Sequence, residues 1–213
     1  MILLIGNTKG GVGKTTLAVN IAISRALAGR RVFLVDADRQ LTAQTSISVR
    51  AANLPSEPMV ACSAYSDGLT LRTQVKLQKS NFDDVVIDAG GKDSSALRAA
   101  LTLADVLVTP FRPRSFDVWS LEQMAELVDE ARGLHENLQA FAVLSAADPS
   151  NSSDNRDARD YVEQLPQFKY LPAQISQRKA FSNAAGAGRC VTEMKPRDPK
   201  AIAELASLVD SLF

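Results

Sequence analysis

The sequence predicts an α/β fold, a doubly wound and mostly parallel sheet with helices on both faces. The first observation is an apolar run, Ile2–Ile5, that passes directly into a glycine-rich loop and then into a helical pattern. The second is that similar apolar runs alternate with helical spacing further along the chain: Val32–Val35, Val85–Ile87, Val106–Val108 and Phe141–Leu144. Such runs are typical of strands buried on both faces of a parallel sheet. No segment has the character of a linker, so we expect one domain over residues 1–213.

The segment after the first apolar run has the composition of a phosphate-binding loop. Its glycines allow backbone N–H groups to approach phosphate oxygens, and the following helix adds N–H donors and the positive end of its dipole. Lys14 can then reach the β- and γ-phosphates, and the Thr15 hydroxyl can bind Mg²⁺. The cofactor-binding candidates are Gly10, Gly11, Val12, Gly13, Lys14, Thr15 and Thr16. A tight turn with solvated lysines is the alternative interpretation.

A second lysine, Lys9, precedes these glycines, and Thr8 stands where the usual motif has its first glycine. The run from Lys9 to Thr16 resembles the deviant Walker A motif of the ParA/MinD family of P-loop ATPases. The resemblance extends over nearly the whole chain. It implies Mg²⁺-dependent hydrolysis of ATP to ADP and phosphate within a homodimer that forms when ATP binds. It also implies that Lys14 acts in its own site whereas Lys9 acts in trans, on the nucleotide of the partner protomer.

Two carboxylates follow the second strand. Helical spacing predicts a first helix that ends near Ala28, then the strand Val32–Val35, and then Asp36 and Asp38 at the strand's carboxyl end. Open α/β sheets bind ligands at that edge. The family resemblance implies that Asp38 orients the attacking water and that Asp36 lies nearer the metal, although Arg39 replaces the proline usual in the family. A helix N-cap or a solvated loop acid is the alternative for Asp38.

The next informative segment is the strand Asp84–Asp88. Before it we expect a short helix over residues 42–50, a weak strand over 59–62 and an amphipathic helix over 69–77. A hydrophobic strand that ends in aspartate resembles a Walker B segment, which implies that Asp88 holds Mg²⁺ through water. The small residues after it, Ala89 to Gly91, would let the backbone pass close to the γ-phosphate as a switch segment. A capping role for Asp88 is the alternative.

The C-terminal half continues the alternation of helices and strands. We expect a helix over residues 97–103, a strand over 106–110, a helix ending at Arg132 and a strand over 141–144. The segment Leu171–Ile175 resembles the adenine-side loop of the family, which implies base contacts from Pro172 and Gln174. A final helix begins with Asp198 as its N-cap and Pro199 at its first position, and its apolar stripe predicts docking onto the core.

One basic region stands out between residues 168 and 200, where seven cations accompany two acids. In ParA-type proteins this region makes non-specific, salt-sensitive contacts with DNA phosphates. The candidates here are Arg178, Lys179, Lys195, Arg197 and Lys200. A solvated basic surface with no partner is the alternative. The final helix carries Glu204 and Asp210 beside Lys200, so we expect no binding to an anionic membrane.

Composition limits the remaining function classes. Lys plus Arg and Asp plus Glu number 24 each, so no overall charge attracts nucleic acid or a membrane. The two cysteines have no metal-like spacing, and we see neither a signal peptide nor an apolar stretch approaching the roughly 20 residues of a membrane helix. We expect a cytoplasmic location, nucleoid-associated if the protein binds DNA.

The expected function is therefore that of a ParA-type ATPase in plasmid or chromosome partition. ATP would close the dimer onto DNA, and hydrolysis stimulated by a centromere-binding or adaptor protein would release it. Because the chain starts at its first strand, we expect a small plasmid-type protein without an N-terminal DNA-binding domain. The alternatives are an ATPase that positions a conjugation, secretion or cellulose-synthesis machine without DNA, and a MinD-like regulator. A metal-cluster or metabolic enzyme would need paired cysteines or a substrate-binding insertion, which we do not find.

Overall fold

The computed structural model describes residues 1–147 and 153–213, and for residues 115–118 it describes the backbone alone. Strands and helices alternate along these residues. The strands are β1 Ile2–Ile5, β2 Val32–Asp36, β3 Ala61–Ala64, β4 Asp84–Asp88, β5 Val106–Phe111, β6 Gln139–Ala147 and β7 Lys169–Ser176. The helices are α1 Lys14–Leu27, α2 Thr42–Asn53, α3 Gly68–Gln78, α4 Ser95–Leu101, α5 Ser115–Arg132, α6 Ser153–Val162, α7 Lys179–Gly186 and α8 Pro199–Leu212.

All strands within the described ranges belong to one seven-stranded sheet in the order β3-β2-β4-β1-β5-β6-β7. Every neighbouring pair is parallel. The predicted α/β class is therefore confirmed, and the sheet is parallel throughout. Because all strands point the same way, the loops that follow them meet at one edge, which we call the carboxyl edge. Strand β1 lies between β4 and β5, so the loop after it occupies the middle of that edge.

Helices cover both faces of the sheet and create two apolar layers. Leu71 of α3, Leu97 of α4 and Leu121 of α5 pack in one layer, whereas α1, α2, α7 and α8 build the other. Strand β1 contributes to both, since Leu4 lies in the first layer and Leu3 in the second. Burial on both faces explains why the central strands are continuous apolar runs in the sequence.

Some predicted boundaries are wrong by a few residues. Strand β3 spans Ala61–Ala64 rather than 59–62, because it is an edge strand with little buried apolar surface to mark its position. Helix α4 begins at Ser95 because the Ser94 side chain accepts a hydrogen bond from the Leu97 N–H. The start of α8 is confirmed: the Asp198 carboxylate caps it, and Pro199 follows at the first position. Leu205 and Leu208 of α8 are buried, which confirms the predicted docking onto the core.

No helix within residues 1–147 and 153–213 is long and apolar enough to cross a membrane.

Candidate functional site

The loop between β1 and α1 leaves the first amides of α1 open to a ligand. Gly13, the residue before α1, has a left-handed backbone with φ 90°, and no side chain caps the helix. A Cβ on Gly13 would lie 2.8 Å from the Ser145 hydroxyl oxygen, so only glycine fits this turn. The first N–H groups of an uncapped helix together form an anion-binding site. The backbone therefore favours a phosphate group at this point.

Lys14 is the first residue of α1, and its side chain turns back into the loop. Its ammonium donates a 2.7 Å hydrogen bond to the Lys9 carbonyl oxygen, and the residue is only 7% exposed. Burial lowers the pKa of the Lys14 ammonium, while Asp88 and Asp38 raise it in part. An anionic phosphate oxygen is a stronger acceptor for an ammonium than a neutral carbonyl. Lys14 is thus positioned for a negatively charged ligand inside the loop.

Asp88 ends β4 with a carboxylate that the protein does not neutralise. In register it lies beside Ile5 of β1 and Asp36 of β2. Within the described part of the chain, neither of its two buried oxygens has a hydrogen-bond partner of normal geometry. Burial raises the pKa of Asp88 to about 7, although the nearby Thr15 hydroxyl and Lys14 lower it in part. A buried carboxylate without partners is costly, and a divalent cation beside Thr15 would remove that cost.

Asp36 is buried as well, but its oxygens already have partners. One accepts a 3.0 Å hydrogen bond from the Asp38 N–H, and the other a 2.9 Å bond from the Gln44 N–H at the start of α2. Burial raises the pKa of Asp36, and these backbone bonds lower it in part. The expected metal role of Asp36 is therefore less favoured than that of Asp88. The contacts give Asp36 another task, which is to hold α2 and the following loop against the sheet.

Asp38 lies half-buried in the loop after β2, facing the segment that follows β4. A Cβ on Gly90 would lie 3.3 Å from the Asp38 carboxylate, and a Cβ on Gly91 would lie 2.8 Å from the Gly10 Cα. These close approaches bring the two loops and the phosphate-binding loop into one cluster. Asp38 does not cap α2, because Leu41 is the N-cap residue and makes no side-chain cap. The arrangement leaves the Asp38 carboxylate beside the segment after β4 that also contacts the phosphate-binding loop.

The side chain of Lys9 is exposed, whereas its backbone is fixed. The Lys9 N–H donates a 2.8 Å hydrogen bond to the Asn7 side-chain oxygen, and the Asn7 amide donates a 2.9 Å bond to the Pro110 carbonyl. Asn7 is fully buried and ties the loop to β5. The sequence analysis missed this residue, although an asparagine directly after a buried strand is a usable signal. The Lys9 ammonium can therefore reach outward from a rigid base.

A cavity of about 310 Å³ adjoins the phosphate-binding loop on the side of β6 and β7. Its polar lining includes Thr16, Arg112, Ser145, Ser176, Gln177 and Arg178. Arg112, which the sequence analysis did not select, donates a hydrogen bond to the Gly11 carbonyl. The cavity has the location and polarity expected for the nucleoside part of a nucleotide whose phosphates lie in the loop.

The segment that contains Pro172 and Gln174 is not the predicted loop. Both residues lie inside strand β7, Pro172 exposed and Gln174 half-buried, and neither lines the cavity beside the phosphate-binding loop. The cavity instead takes its lining from the residues directly after the strand, Ser176 to Arg178. The prediction placed the end of β7 too early, because β7 is an edge strand whose alternating burial gives a weak apolar signal.

The five basic candidates divide into two groups. Arg178 is held in place, since its guanidinium lies 2.9 Å from the Glu204 carboxylate. The other four, Lys179, Lys195, Arg197 and Lys200, are exposed and make no ion pair with any described residue. The two acids of the region are also engaged: Glu193 pairs with the buried Arg50, and Asp198 caps α8. The positive charge of the four cations is therefore uncompensated locally.

Asp88→Asn is expected to stabilise the nucleotide-free protein above neutral pH. The pKa of Asp88 is 3.8 ordinarily and about 7 in the folded chain, because burial favours the protonated carboxyl. The stability that this preference gives the fold is fully present below pH 4 and is lost as the pH rises to about 7. The free energy of unfolding of the variant should exceed that of the original chain by up to about 4 kcal/mol at pH 8. Urea denaturation in EDTA between pH 4 and 8 measures the difference. Equal stability across this range would contradict the account of Asp88, and Mg²⁺ with ATP should reduce the difference.

Comparison with known families gives one match over most of the chain. The model described as "CobQ/CobB/MinD/ParA nucleotide binding domain" matches residues 3–191. The chain is 28% identical over 212 residues to the maintenance of carboxysome distribution protein A of Halothiobacillus neapolitanus, covering 99% of this chain and 95% of that protein. It is also 28% identical over 167 residues to the chromosome-partitioning ATPase Soj of Thermus thermophilus, covering 67% of each.

Solved structures share the fold at lower identity. Apo McdA of Cyanothece superposes with a TM-score of 0.79 at 19% identity, covering all of this chain and 99% of that one. The septum site-determining protein MinD of Pyrococcus horikoshii, in complex with Mg-ADP, superposes with a TM-score of 0.73 at 18% identity, covering 99% and 95%. Both likenesses extend over the whole sheet, so they support the fold rather than a particular cargo.

Proposed function

The chain belongs to the CobQ/CobB/MinD/ParA nucleotide-binding family, and from that premise we propose that it is a Mg²⁺-dependent ATPase that positions a cargo in the cell. ATP closes two copies into a dimer, the dimer binds DNA without sequence specificity, and hydrolysis to ADP and phosphate releases it. A partner protein attached to the cargo stimulates that hydrolysis.

This proposal rests mainly on two charged groups at the carboxyl edge that lack a well-matched partner within the described residues. The Lys14 ammonium has only a neutral carbonyl as its acceptor, and neither oxygen of the Asp88 carboxylate has a hydrogen bond of normal geometry within the described residues. A triphosphate with Mg²⁺ satisfies both, since phosphate oxygens accept from Lys14 and the metal approaches Asp88. A lone phosphate without a metal would leave Asp88 unsatisfied. The donor set therefore fits a metal-bound nucleotide.

Each residue then has a limited task. The N–H groups of residues 10–13 and the Lys14 ammonium bind the phosphates, and Thr15 and Asp88 hold the metal. When bound, Mg²⁺ neutralises charge on the phosphate oxygens. Asp38 orients the attacking water from its place against Gly90. No general base is required, because positioning and charge stabilisation supply most of the catalysis in phosphoryl transfer.

Lys9 supplies charge to the nucleotide of the partner protomer. Lys14 already fills the space inside its own loop, while the Lys9 side chain is exposed on the carboxyl edge. When two carboxyl edges face each other, the lysine of one copy comes to lie over the nucleotide of the other. The dimer is therefore a requirement for complete active sites, and each site contains residues of both copies.

The nature of the cargo divides the proposal into two candidates. Soj, one of the relatives, is named for chromosome partitioning, and the similarity to it covers 67% of this chain. The relative named for carboxysome distribution matches 99% of this chain, which favours a protein assembly as cargo. Both candidates use DNA as the surface on which the ATPase moves. A DNA-free scaffold for a conjugation, secretion or cellulose-synthesis machine is the remaining alternative.

The DNA surface that we propose consists of Lys179, Lys195, Arg197 and Lys200. Lys195 and Arg197 line one cavity of about 480 Å³ together with Ala180 and Asn183 of α7, so the loop before α8 lies against α7. The start of α7, which carries Lys179, and the first turn of α8, which carries Lys200, flank that loop. Arg178 is left out, because Glu204 compensates its charge. Such a surface can bind the phosphates of DNA of any sequence.

The double variant Lys195→Gln/Arg197→Gln is expected to weaken ATP-dependent DNA binding at least tenfold. Removing two phosphate contacts should lower the slope of log K against log salt by roughly 1 to 2. Co-sedimentation or fluorescence anisotropy with random-sequence DNA at two salt concentrations measures both quantities. The matched control is Lys76→Gln/Lys79→Gln, which removes two exposed cations at the end of α3. Unchanged binding in the first variant would contradict the proposed surface and place DNA binding elsewhere, whereas absence of DNA binding by the original chain would favour the DNA-free scaffold.

A further inference from the structure

Four exposed cations lie around the phosphate-binding loop, one on each of four neighbouring loops of the carboxyl edge. We call this set the cationic rim, and it comprises Lys9, Arg39, Lys92 and Arg112. Close approaches between residues connect these loops. A Cβ on Gly90 would touch the Asp38 carboxylate at 3.3 Å, and a Cβ on Gly91 would lie 2.8 Å from the Gly10 Cα. On the far side, the Arg112 guanidinium donates to the Gly11 carbonyl.

No carboxylate of the described chain pairs with the cationic rim. The nearby acids are buried or half-buried: Asp36 and Asp88 at strand ends, and Asp38 in its loop. Asp93, which follows Lys92, is bound instead to Arg98 of α4 at 2.8 Å. Among the described residues, Lys14 and the rim together give five cations beside these three carboxylates, which is a formal excess of positive charge around the phosphate-binding loop. The chain as a whole is neutral, so this excess is local.

We propose that the cationic rim makes dimerisation selective for the triphosphate, by repelling a second copy of the chain unless ATP is bound to both. This inference rests on the proposed function, since it concerns the same dimer. Lys9 is the family's signature lysine, whereas Arg39 stands where the family has proline. The residues to which this inference assigns a new role are therefore Arg39, Lys92 and Arg112.

The physical reason is the sign of the charge at two facing edges. Without nucleotide, each edge brings an uncompensated excess of positive charge to the other, and like charges resist being brought together in a partly desolvated interface. The Mg²⁺ complex of ATP carries roughly two negative charges and that of ADP roughly one, so ATP compensates the excess more completely. Discrimination between ATP and ADP then arises from electrostatics in addition to contacts with the last phosphate.

Analytical ultracentrifugation of the full chain tests this proposal. The variant is the triple substitution Arg39→Gln, Lys92→Gln and Arg112→Gln. The control removes three exposed cations of α3 and its end, Arg72→Gln, Lys76→Gln and Lys79→Gln. Each protein is measured with no nucleotide, with Mg-ADP and with a slowly hydrolysed Mg-ATP analogue. Binding of a fluorescent ATP analogue to the monomer is recorded in parallel, because it reports on the loop itself.

The expected result is that the ratio of the dimer dissociation constants in ADP and in ATP falls at least tenfold in the triple variant and stays unchanged in the control. In the original chain, added salt should strengthen the ADP dimer, because salt screens the repulsion. An unchanged ratio in the triple variant overturns the proposal, as does an ADP dimer that salt weakens. Absence of any ATP dimer in the original chain would instead contradict the proposed function, so the two failures are distinguishable.

Discussion

Lys9→Ala is expected to bind ATP nearly as tightly as the original chain but to lose partner- and DNA-stimulated ATPase activity by about 10³-fold. The monomer should keep its affinity, because the substitution leaves in place Lys14 and the loop amides that we propose to bind the phosphates. Activity falls because the transition state loses a cation that only the facing protomer can supply. Steady-state phosphate release and binding of a fluorescent ATP analogue measure the two quantities separately.

Lys14→Ala is the matched comparison, since it removes the buried ammonium from the same loop. That variant should lose both nucleotide binding and activity, whereas Lys79→Ala at the end of α3 should lose neither. If Lys9→Ala turned over ATP at a near-normal rate, a role in trans would be excluded. If it lost ATP binding as fully as Lys14→Ala, Lys9 would instead belong to its own site.

Asp38→Ala is expected to form a dimer with ATP and to bind DNA, while its rate of hydrolysis falls about 10² to 10³-fold. Among the described residues the Lys14 ammonium is held by the Lys9 carbonyl and makes no ion pair with Asp38, so nucleotide binding should persist. What is lost is the carboxylate beside Gly90 that we propose to orient the attacking water. Sedimentation in ATP should show dimers that persist for the whole run, in contrast to the transient dimers of the original chain.

Asp38→Asn tests the same role more narrowly, because the amide keeps the shape and the hydrogen bond to the Gln40 N–H. An activity close to that of Asp38→Ala would indicate that the negative charge itself is needed. A fully active Asp38→Asn would reduce Asp38 to a loop-forming residue. Failure of Asp38→Ala to dimerise would place the carboxylate in the interface rather than in the chemistry.

The family and the phosphate-binding loop could be predicted from the sequence because their signals are contiguous. Lys9 to Thr16 form one unbroken segment, and the ParA/MinD resemblance that it carries is confirmed by the family match. The sheet could be predicted for a similar reason, since strands buried on both faces leave unbroken apolar runs. The loop also places Lys14 where the motif requires it.

Other features depend on contacts between distant residues, and the sequence does not show them. Arg178 is a residue of the type that contacts DNA phosphates, but the carboxylate of Glu204, which lies 26 residues further along the chain, compensates its positive charge. Asn7 ties the phosphate-binding loop to β5 by its hydrogen bond to the Pro110 carbonyl, and Arg112 donates a hydrogen bond to the Gly11 carbonyl of the loop. In both pairs the partners are about 100 residues apart in the sequence and are brought together only by the fold. The sequence makes Asp36 a candidate metal ligand, but it does not show that the Gln44 N–H of α2 donates a hydrogen bond to its carboxylate. A sequence motif shows which residue types occur and in what order, whereas the hydrogen-bond and ion-pair partners of those residues are known only once the chain has folded.

A mixture of two inactive variants tests the central claim most directly. Lys9→Ala and Asp38→Ala are purified separately, mixed in equal amounts with ATP, Mg²⁺, DNA and the partner protein, and assayed for phosphate release. In a mixed dimer, the site of the Lys9→Ala protomer retains its own Lys14 and Asp38 and receives an intact Lys9 from the facing copy. We therefore expect the initial rate to return to about a quarter of that of the original chain, because half of the dimers that first form are mixed and each has one complete site. A mixture as inactive as its two components would contradict the claim that this lysine acts across the dimer.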